Sequence, residues 1–505
     1  MAGVNNFNLK PRGENDCMKI WNGKWSAGSV VAVPLIAAML AGCSSGGESK
    51  DKVPDPGEPV TLKVAYFNEQ SFYQSYGNVF NAKYPNVEFE IIPTMDVSMQ
   101  KDPVQAMSDL IDAEQPDVVL LTMEQYETLA ADGKLYDLDA MVQQSGFDIE
   151  NIVEGVVQLL RDSGGGKLYG LSPSFNTKAL YYNKDLFAKY GVPEPSDGMT
   201  WEEVLQLAAR FPADGDDESR IYGFAPSMFD QNAFKLIQDM AAAKGLNYLN
   251  ADATELTLSD PEWKEIFEAV VGGYAGKTVF MPQNSEQGFS LDGMLFQQGR
   301  AAMTVDNPML MNMSEGGMAG GAVSFRAASG SDEAVQEVKS PEPINMGVVT
   351  APVDASAPDQ TSEYEISQIY AINAASAQSD QAWTFVQYVH SEEAAKIRAK
   401  TSMGLESRKG YETSASGADL SPFYQLKPLP KESTNWYPKG FRNSFAKIAG
   451  EEIGAAASGS KSPDEAFKDL MDKAVDALAE ANLSGEKERG DGGFGGMATS
   501  IFIGG

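Results

Sequence analysis

A single histidine, His390, stands in a chain of 505 residues, and that scarcity bounds the chemistry available. Ser-His-Asp and Cys-His hydrolysis, the HExxH zinc site and most transition-metal sites each need histidine at a set place. His390 lies between Val389 and Ser391-Glu392-Glu393 at a helix junction, where a solvated or capping imidazole is expected. The run Gly272-Gly273-Tyr274-Ala275-Gly276-Lys277-Thr278 suggests a phosphate loop, but that motif needs glycine five places before Gly276 and Val271 stands there. Carboxylates remain. With 71 Asp and Glu, a pair of carboxyls about 5–10 Å apart, as glycoside hydrolysis requires, is open by count alone. No glycosidase motif accompanies them, and no catalytic residue, cofactor or metal ligand is assigned.

Two thiols complete the reactive set, Cys17 and Cys43. Leu40-Ala41-Gly42-Cys43 closes a short apolar stretch, Val30 to Met39, that follows Lys19 and Lys24. A basic front, small residues at the cut and an apolar run shorter than the ~20 residues of a membrane span read as a lipoprotein signal peptide over 1–42. The mature protein then begins at Cys43, whose acylated thiol holds it at the extracytoplasmic face of the cell membrane. Met18-Lys19-Ile20 is the more ordinary signal start, so Met18 is read as the initiator and Cys17 as untranslated. The exported body then has no disulfide and must rest on a packed core, which a chain of this length can build.

The elements that must position any site follow from pattern. A hydrophobic content of 43% and an aromatic content of 10% suit a globular protein of two or more lobes. The net charge of −32, from 71 acids against 39 bases, repels phosphate backbones and excludes nucleic acid as a partner. Residues 43–59 form a flexible tether of Ser, Gly, Pro and charge. Leu62, Val64 and Tyr66 alternate as a strand; Phe72, Tyr76, Val79, Phe80 and Tyr84 recur at helical spacing before Pro85. Val87, Phe89 and Ile91 give a second strand and Val118 to Leu121 a third, an order that predicts parallel sheet covered by helices. Thr200 with Glu203, Ser462 with Pro463 and Glu465, and Asp260 with Pro261 sign helix starts. Residues 314–344, rich in Gly, Ala, Ser and charge, predict an inserted loop, and 486–505 a disordered tail.

A series of segments along 60–480 is similar to a known family. They are Gln115-Pro116-Asp117-Val118-Val119, Gly133-Lys134-Leu135, Gly166 to Leu171, the run Leu180-Tyr181-Tyr182-Asn183-Lys184-Asp185-Leu186-Phe187, Thr200-Trp201-Glu202-Glu203, Phe296 to Thr304, Ile372 to Ser376, Ala455 to Ser458 and Ser462 to Ala466. In order and spacing the chain resembles the extracellular solute-binding proteins of ABC importers, in the sugar-binding group that includes maltose-binding protein. The resemblance implies an α/β, periplasmic-binding-protein-like fold of two lobes, each a mainly parallel sheet covered by helices, with the ligand cleft between them. It places the first lobe at 60–177 plus 367–412 and the second at 178–366 plus 413–485.

The resemblance also carries ligand residues. Asn176 aligns with an acidic cleft residue just before the first crossing between lobes. Phe67, Asn68 and Glu69 follow the first strand, where ligands meet the carboxyl ends of parallel strands. Glu124 and Tyr126 follow the third strand and match a family segment with an acid and an aromatic; Asp306 and Asn307 follow Ala302-Met303-Thr304. Where the family often has Trp shortly afterwards, this chain has Pro308 and Met309. Trp436 and Tyr437 match an aromatic pair that stacks on sugar. Plainer roles stay open: Phe67, Tyr126, Trp436 and Tyr437 as core aromatics, Glu69 and Glu124 as acids at helix N-termini. Trp201 and Tyr182 are read as structural. The implied function is capture of a carbohydrate, an oligosaccharide above all, for an ABC permease by a lipid-anchored monomer that is not an enzyme. The alternatives are another polar solute, a sensor presenting its ligand to a membrane kinase, and a surface glycoside hydrolase.

Overall fold

The computed structural model describes residues 59–489, apart from 217–218, 228–229, 231, 283–293, 315–322, 325–336, 339–343, 401–403, 415, 431–435. Cys43 and nearly all of the signal segment and tether expected over 1–59 therefore lie outside the described residues, as does most of the inserted loop expected at 314–344. Among the described residues no helix is long and apolar enough to cross a membrane.

Seven residues of alternating or continuous apolar character, Val60–Tyr66, make strand β1, which pairs in parallel with β2 (Val87–Pro93) and β3 (Val118–Leu121). The sheet is completed by β13 (Ile369–Ile372) and β4 (Gly170–Leu171), both in antiparallel pairing, in the order β2-β1-β3-β13-β4. Between them β5 is Ser174–Phe175, β6 Ala179–Asn183, β7 Tyr222–Phe224 and β8 Ala301–Asp306. A second sheet runs β11-β6-β8-β7, with β11 at Met346–Thr350. There only β7 and β8 are parallel. The expectation of mainly parallel sheets is corrected to mixed sheets. A parallel neighbour needs a crossover on the same lobe; β6 and β13 instead arrive from the other sheet, free of that constraint.

There are two apolar cores, and the second sheet contributes to both: Ala179, Tyr181 and Ala301 to the first, Leu180, Tyr182 and Met303 to the second. Phe72, Phe80, Tyr370 and Phe385 fill the first, with Phe72 and Phe89 ring centroids 4.8 Å apart. Phe234, Trp263, Phe267 and Phe445 fill the second, Phe234 meeting Phe445 edge to face at 5.0 Å. The fold is thus the expected two-lobe α/β arrangement. Helix starts follow the sequence signals: Thr200 and Glu203 close a reciprocal capping box on Trp201–Ala208, and Ser462 and Glu465 one on Pro463–Leu483. Trp201 and Tyr182 are both buried in the second core.

Short pairings join the cores. The chain leaves the first core after Phe175 and enters the second sheet at Ala179, and it returns near Glu365. At this crossing Asn176 donates its amide to the Glu365 carbonyl at 2.8 Å and Glu365 donates back at 2.9 Å. Phe175 stacks on Tyr364 at 4.9 Å and meets Tyr424 edge-on at 5.4 Å, which seals the crossing with aromatic surface. Around it lie β12 (Gln360–Thr361) with β15 (Lys427–Pro428), and β14 (Leu405–Glu406) with β5. In the inserted region, β9 (Val323–Ser324) and β10 (Glu337–Val338) pair antiparallel.

Two further expectations change. His390 does end a helix, Ser379–Val389, but it is buried rather than solvated: its Nδ1 lies 2.7 Å from the Val386 carbonyl and its ring meets Tyr370 edge-on. Burial pushes its pKa down to about 3, so the imidazole is neutral and packs as core. Of the tail expected over 486–505, Lys487–Arg489 form strand β17, antiparallel to β16, Trp436–Pro438, and 490–505 lie outside the described residues.

Gly223 tests the packing of the second sheet. A Cβ there would fall 2.1 Å from the Ala208 carbonyl oxygen, a backbone atom that cannot swing away. Gly223→Ala is expected to lower the unfolding free energy by about 1–3 kcal/mol in urea titration, with the m-value unchanged.

Candidate functional site

The carboxyl ends of strands in both sheets converge on the crossing segments, and polar side chains collect there. Asp306 closes β8 and is buried; its Oδ2 accepts a hydrogen bond from Ser227 Oγ at 2.8 Å and its Oδ1 one from the Asn307 amide at 2.8 Å. Ser227 and Asp230 follow β7, the parallel neighbour of β8. Lys178, two residues past Asn176, reaches Glu363 at 3.0 Å on the returning segment, and Lys235 pairs with Asp239 one turn along the helix Lys235–Ala243. Two oxygens in the first crossing segment, Asn176 Oδ1 and Thr177 Oγ1, are buried without a hydrogen-bond partner among the described residues.

These groups feel one another electrically. Burial pushes the Asp306 carboxyl up to about 6, against the hydrogen bonds from Ser227 and Asn307. Burial likewise lifts Asp239, to about 6, although Lys235 and Lys178 oppose it. For Lys178 burial works downward, but Glu363, Asp230 and Asp239 outweigh it and hold the ammonium well above its usual range. Four carboxylates thus face two ammonium groups, a lining that suits hydroxyl donors and disfavours an added anion.

The first sheet supplies a second group. Phe67, Asn68 and Glu69 lie at the carboxyl end of β1, beside that of its parallel partner β3. Phe67 is half-buried against the first core, Asn68 caps the following helical turn by accepting the Ser71 amide at 2.8 Å, and Glu69 is exposed in that turn. Glu124 stands in the first turn of Met123–Ala131 and pairs with Arg489 at 2.7 Å. Arg489 is in turn the register partner of Trp436. Tyr437 carries the Arg442 guanidinium 5.3 Å over its ring and packs on the second core.

Of the expected site residues, the structure gathers Glu124 with Trp436 through Arg489, and Asp306 with the polar cluster beside the crossing. Asn176 lies at the crossing itself. Asn307 is buried; its Oδ1 accepts the Met309 amide at 2.9 Å and its carbonyl the Tyr181 hydroxyl at 2.8 Å, a local cap of the helix Met309–Ser314. Tyr126 is corrected. It is fully buried in the first core, its hydroxyl donating to the Leu160 carbonyl at 3.0 Å and accepting the Tyr169 amide at 3.0 Å, because Tyr126, Leu129 and Ala130 form the inward face of the helix that leaves Glu124 outward. Sequence reasoning missed Lys178, Ser227, Asp230, Lys235, Asp239, Glu363 and Arg489. Ser227 and Asp230 follow a strand end, the same signal that marked Phe67, Asn68 and Glu69; the partners of Lys178 and Arg489 are distant in the chain and leave no local trace.

The sequence profile of a family described as bacterial extracellular solute-binding protein matches residues 65–396. A protein of Brucella abortus (strain 2308) named as a binding protein is 25% identical over 301 residues, which cover 57% of this chain and 64% of that relative, so the likeness spans less than two thirds of its length. The arabinooligosaccharide-binding protein of Bacillus subtilis (strain 168) is 26% identical over 178 residues, 34% of this chain and 39% of the relative. In fold, the chain is similar to the crystal structure of a sugar transporter from Rhizobium etli in an open conformation: TM-score 0.58, 19% identity, covering 82% of this chain and 98% of that one.

Asp306 offers a pH test. Its neutral form is the one the fold prefers, so its stabilising contribution is fully present below the unfolded carboxyl pKa of about 4 and is lost as pH rises through about 6. Asp306→Asn is expected to raise the unfolding free energy by about 1–3 kcal/mol at pH 7.5, and the gain should vanish near pH 4 in parallel denaturant titrations.

Proposed function

The chain belongs to the bacterial extracellular solute-binding proteins, and from that premise we propose that its cleft captures a neutral carbohydrate, an oligosaccharide above all, and hands it unchanged to an ABC permease. The observation that carries this reading is the crossing itself, where Asn176 Oδ1 and Thr177 Oγ1 are buried without partners among the described residues, beside a carboxylate-rich cluster. Buried acceptors want donors, and sugar hydroxyls are neutral donors. Phosphate-bearing solutes would add negative charge to a lining that already holds four carboxylates against two ammonium groups. The arabinooligosaccharide-binding relative supports the same class.

In this reading the lobes are 60–177 plus 367–412 and 178–366 plus 413–485, moving about the crossing at Asn176 and Glu365. Asp306, Asn176 and Glu124 take hydroxyl hydrogen bonds, and Trp436 offers an aromatic face to the apolar C–H side of a sugar ring. Phe67, Asn68 and Glu69 line the first-lobe edge. Contacts to both lobes favour the closed form by their difference in affinity. No bond is made or broken, and the protein acts as a monomer held to the membrane through acylated Cys43.

Titration calorimetry against arabino- and malto-oligosaccharides, mannitol and glycerol 3-phosphate tests the solute class. Heat with a sugar or polyol and none with the phosphate is expected; binding of the phosphate alone contradicts the reading. Trp436→Ala should weaken the sugar that binds by about 1–3 kcal/mol with the melting temperature kept. Cys43→Ser, followed by cell fractionation, should move the protein from membrane to medium with its solution affinity unchanged.

A further inference from the structure

Strand β17 belongs to the second lobe by its backbone. Arg489 pairs with Trp436, Glu488 with Tyr437 and Lys487 with Pro438. The Lys439 amide donates to the Glu486 carbonyl at 2.9 Å, and the Lys439 ammonium meets the Glu486 carboxylate at 2.6 Å. Beyond β16 the chain enters the helix Phe441–Ala457, whose Phe441, Phe445 and Ile453 lie in the second core. Arg489 reaches from this strand to the other lobe. Its guanidinium meets Glu124 Oε2 at 2.7 Å, on a helix whose Tyr126 and Leu129 are anchored in the first core.

The pair is not a surface decoration. The Glu124 side chain is 11% exposed and that of Arg489 34%. A carboxylate so far withdrawn from water needs a counter-charge, and loss of one partner leaves the other uncompensated. Arginine also presents five N–H donors in a rigid fork, so charge contact with one carboxylate oxygen does not exhaust it. One ion pair therefore fixes two things at once. It orients Glu124 at the carboxyl end of β3, and through backbone pairing it sets the height of Trp436.

We propose that Arg489 is a positioning residue of the cleft: it places Glu124 and Trp436 together across the gap between lobes and couples their placement to closure, making β17 part of the binding wall. This rests on the reading of Glu124 and Trp436 as solute contacts. Removing the guanidinium frees the lobes from each other and leaves Glu124 without its partner. A charge swap restores the link.

The test uses the full chain with a donor and an acceptor dye at the exposed positions 109 and 265, one on each lobe. Inter-dye distances are recorded without solute, and affinities for maltotetraose and arabinotriose by calorimetry. Arg489→Ala should lengthen the mean distance and weaken binding about tenfold with little change in melting temperature; Arg489→Lys should recover part of both. The double variant Glu124→Arg with Arg489→Glu should bring the distance back toward the parent value. An unchanged distance in Arg489→Ala, tighter sugar binding in that variant, or no recovery in the swap overturns the proposal. If the parent binds neither sugar while the distances shift as described, the coupling stands and the carbohydrate reading falls.

Discussion

The reciprocal pair of backbone hydrogen bonds between Asn176 and Glu365 is the constraint on which the rest depends. It ties the segment leaving the first sheet to the segment returning to it, so the two sheets stay in register at the crossing. The stacked Phe175 and Tyr364 rings shield those bonds. Short strands make up the crossing, and the apolar cluster of the first sheet continues past it onto Ala179, Tyr181, Tyr222 and Ala301 of the second. Polar side chains beside it are then exposed or covered according to how the lobes stand.

That position explains an otherwise costly arrangement. Asp306, Lys178, Glu363, Lys235 and Asp239 hold several charges in partly dry surroundings, and Asn176 and Thr177 each bury an oxygen without a donor among the described residues. A core built for stability alone would avoid such groups, since unsatisfied buried polar atoms cost about 1–3 kcal/mol each. Strand ends between two lobes are where a protein keeps polar atoms in reserve for a guest. The charges are also mutually stabilising, as the raised ammonium of Lys178 beside Glu363 and Asp230 shows.

Local pattern carried most of the fold. The strands at Val60, Val87 and Val118 and the caps at Thr200, Asp260 and Ser462 were legible because alternation and capping act within a few residues. Strand direction was not legible at β6 and β13, whose neighbours lie more than a hundred residues away in sequence. Within the candidate site, Asp306 came from the family resemblance, as did Tyr126, whose burial in the first core follows from its place on the inward face of its helix. The burial of His390 and the pairing of Lys487–Arg489 with Trp436–Pro438 also escaped, since neither depends on neighbours in the chain.

The central claim, that a neutral solute is gripped at the waist between two lobes, is tested most directly by a crystal structure of the complex with the tightest-binding sugar. The account predicts density for an intact sugar between the lobes, with hydroxyls within hydrogen-bonding distance of Asn176 Oδ1 and the Asp306 carboxyl and a ring against Trp436. Density confined to one lobe away from Asn176 and Asp306, or a cleaved sugar in the cleft, would contradict it.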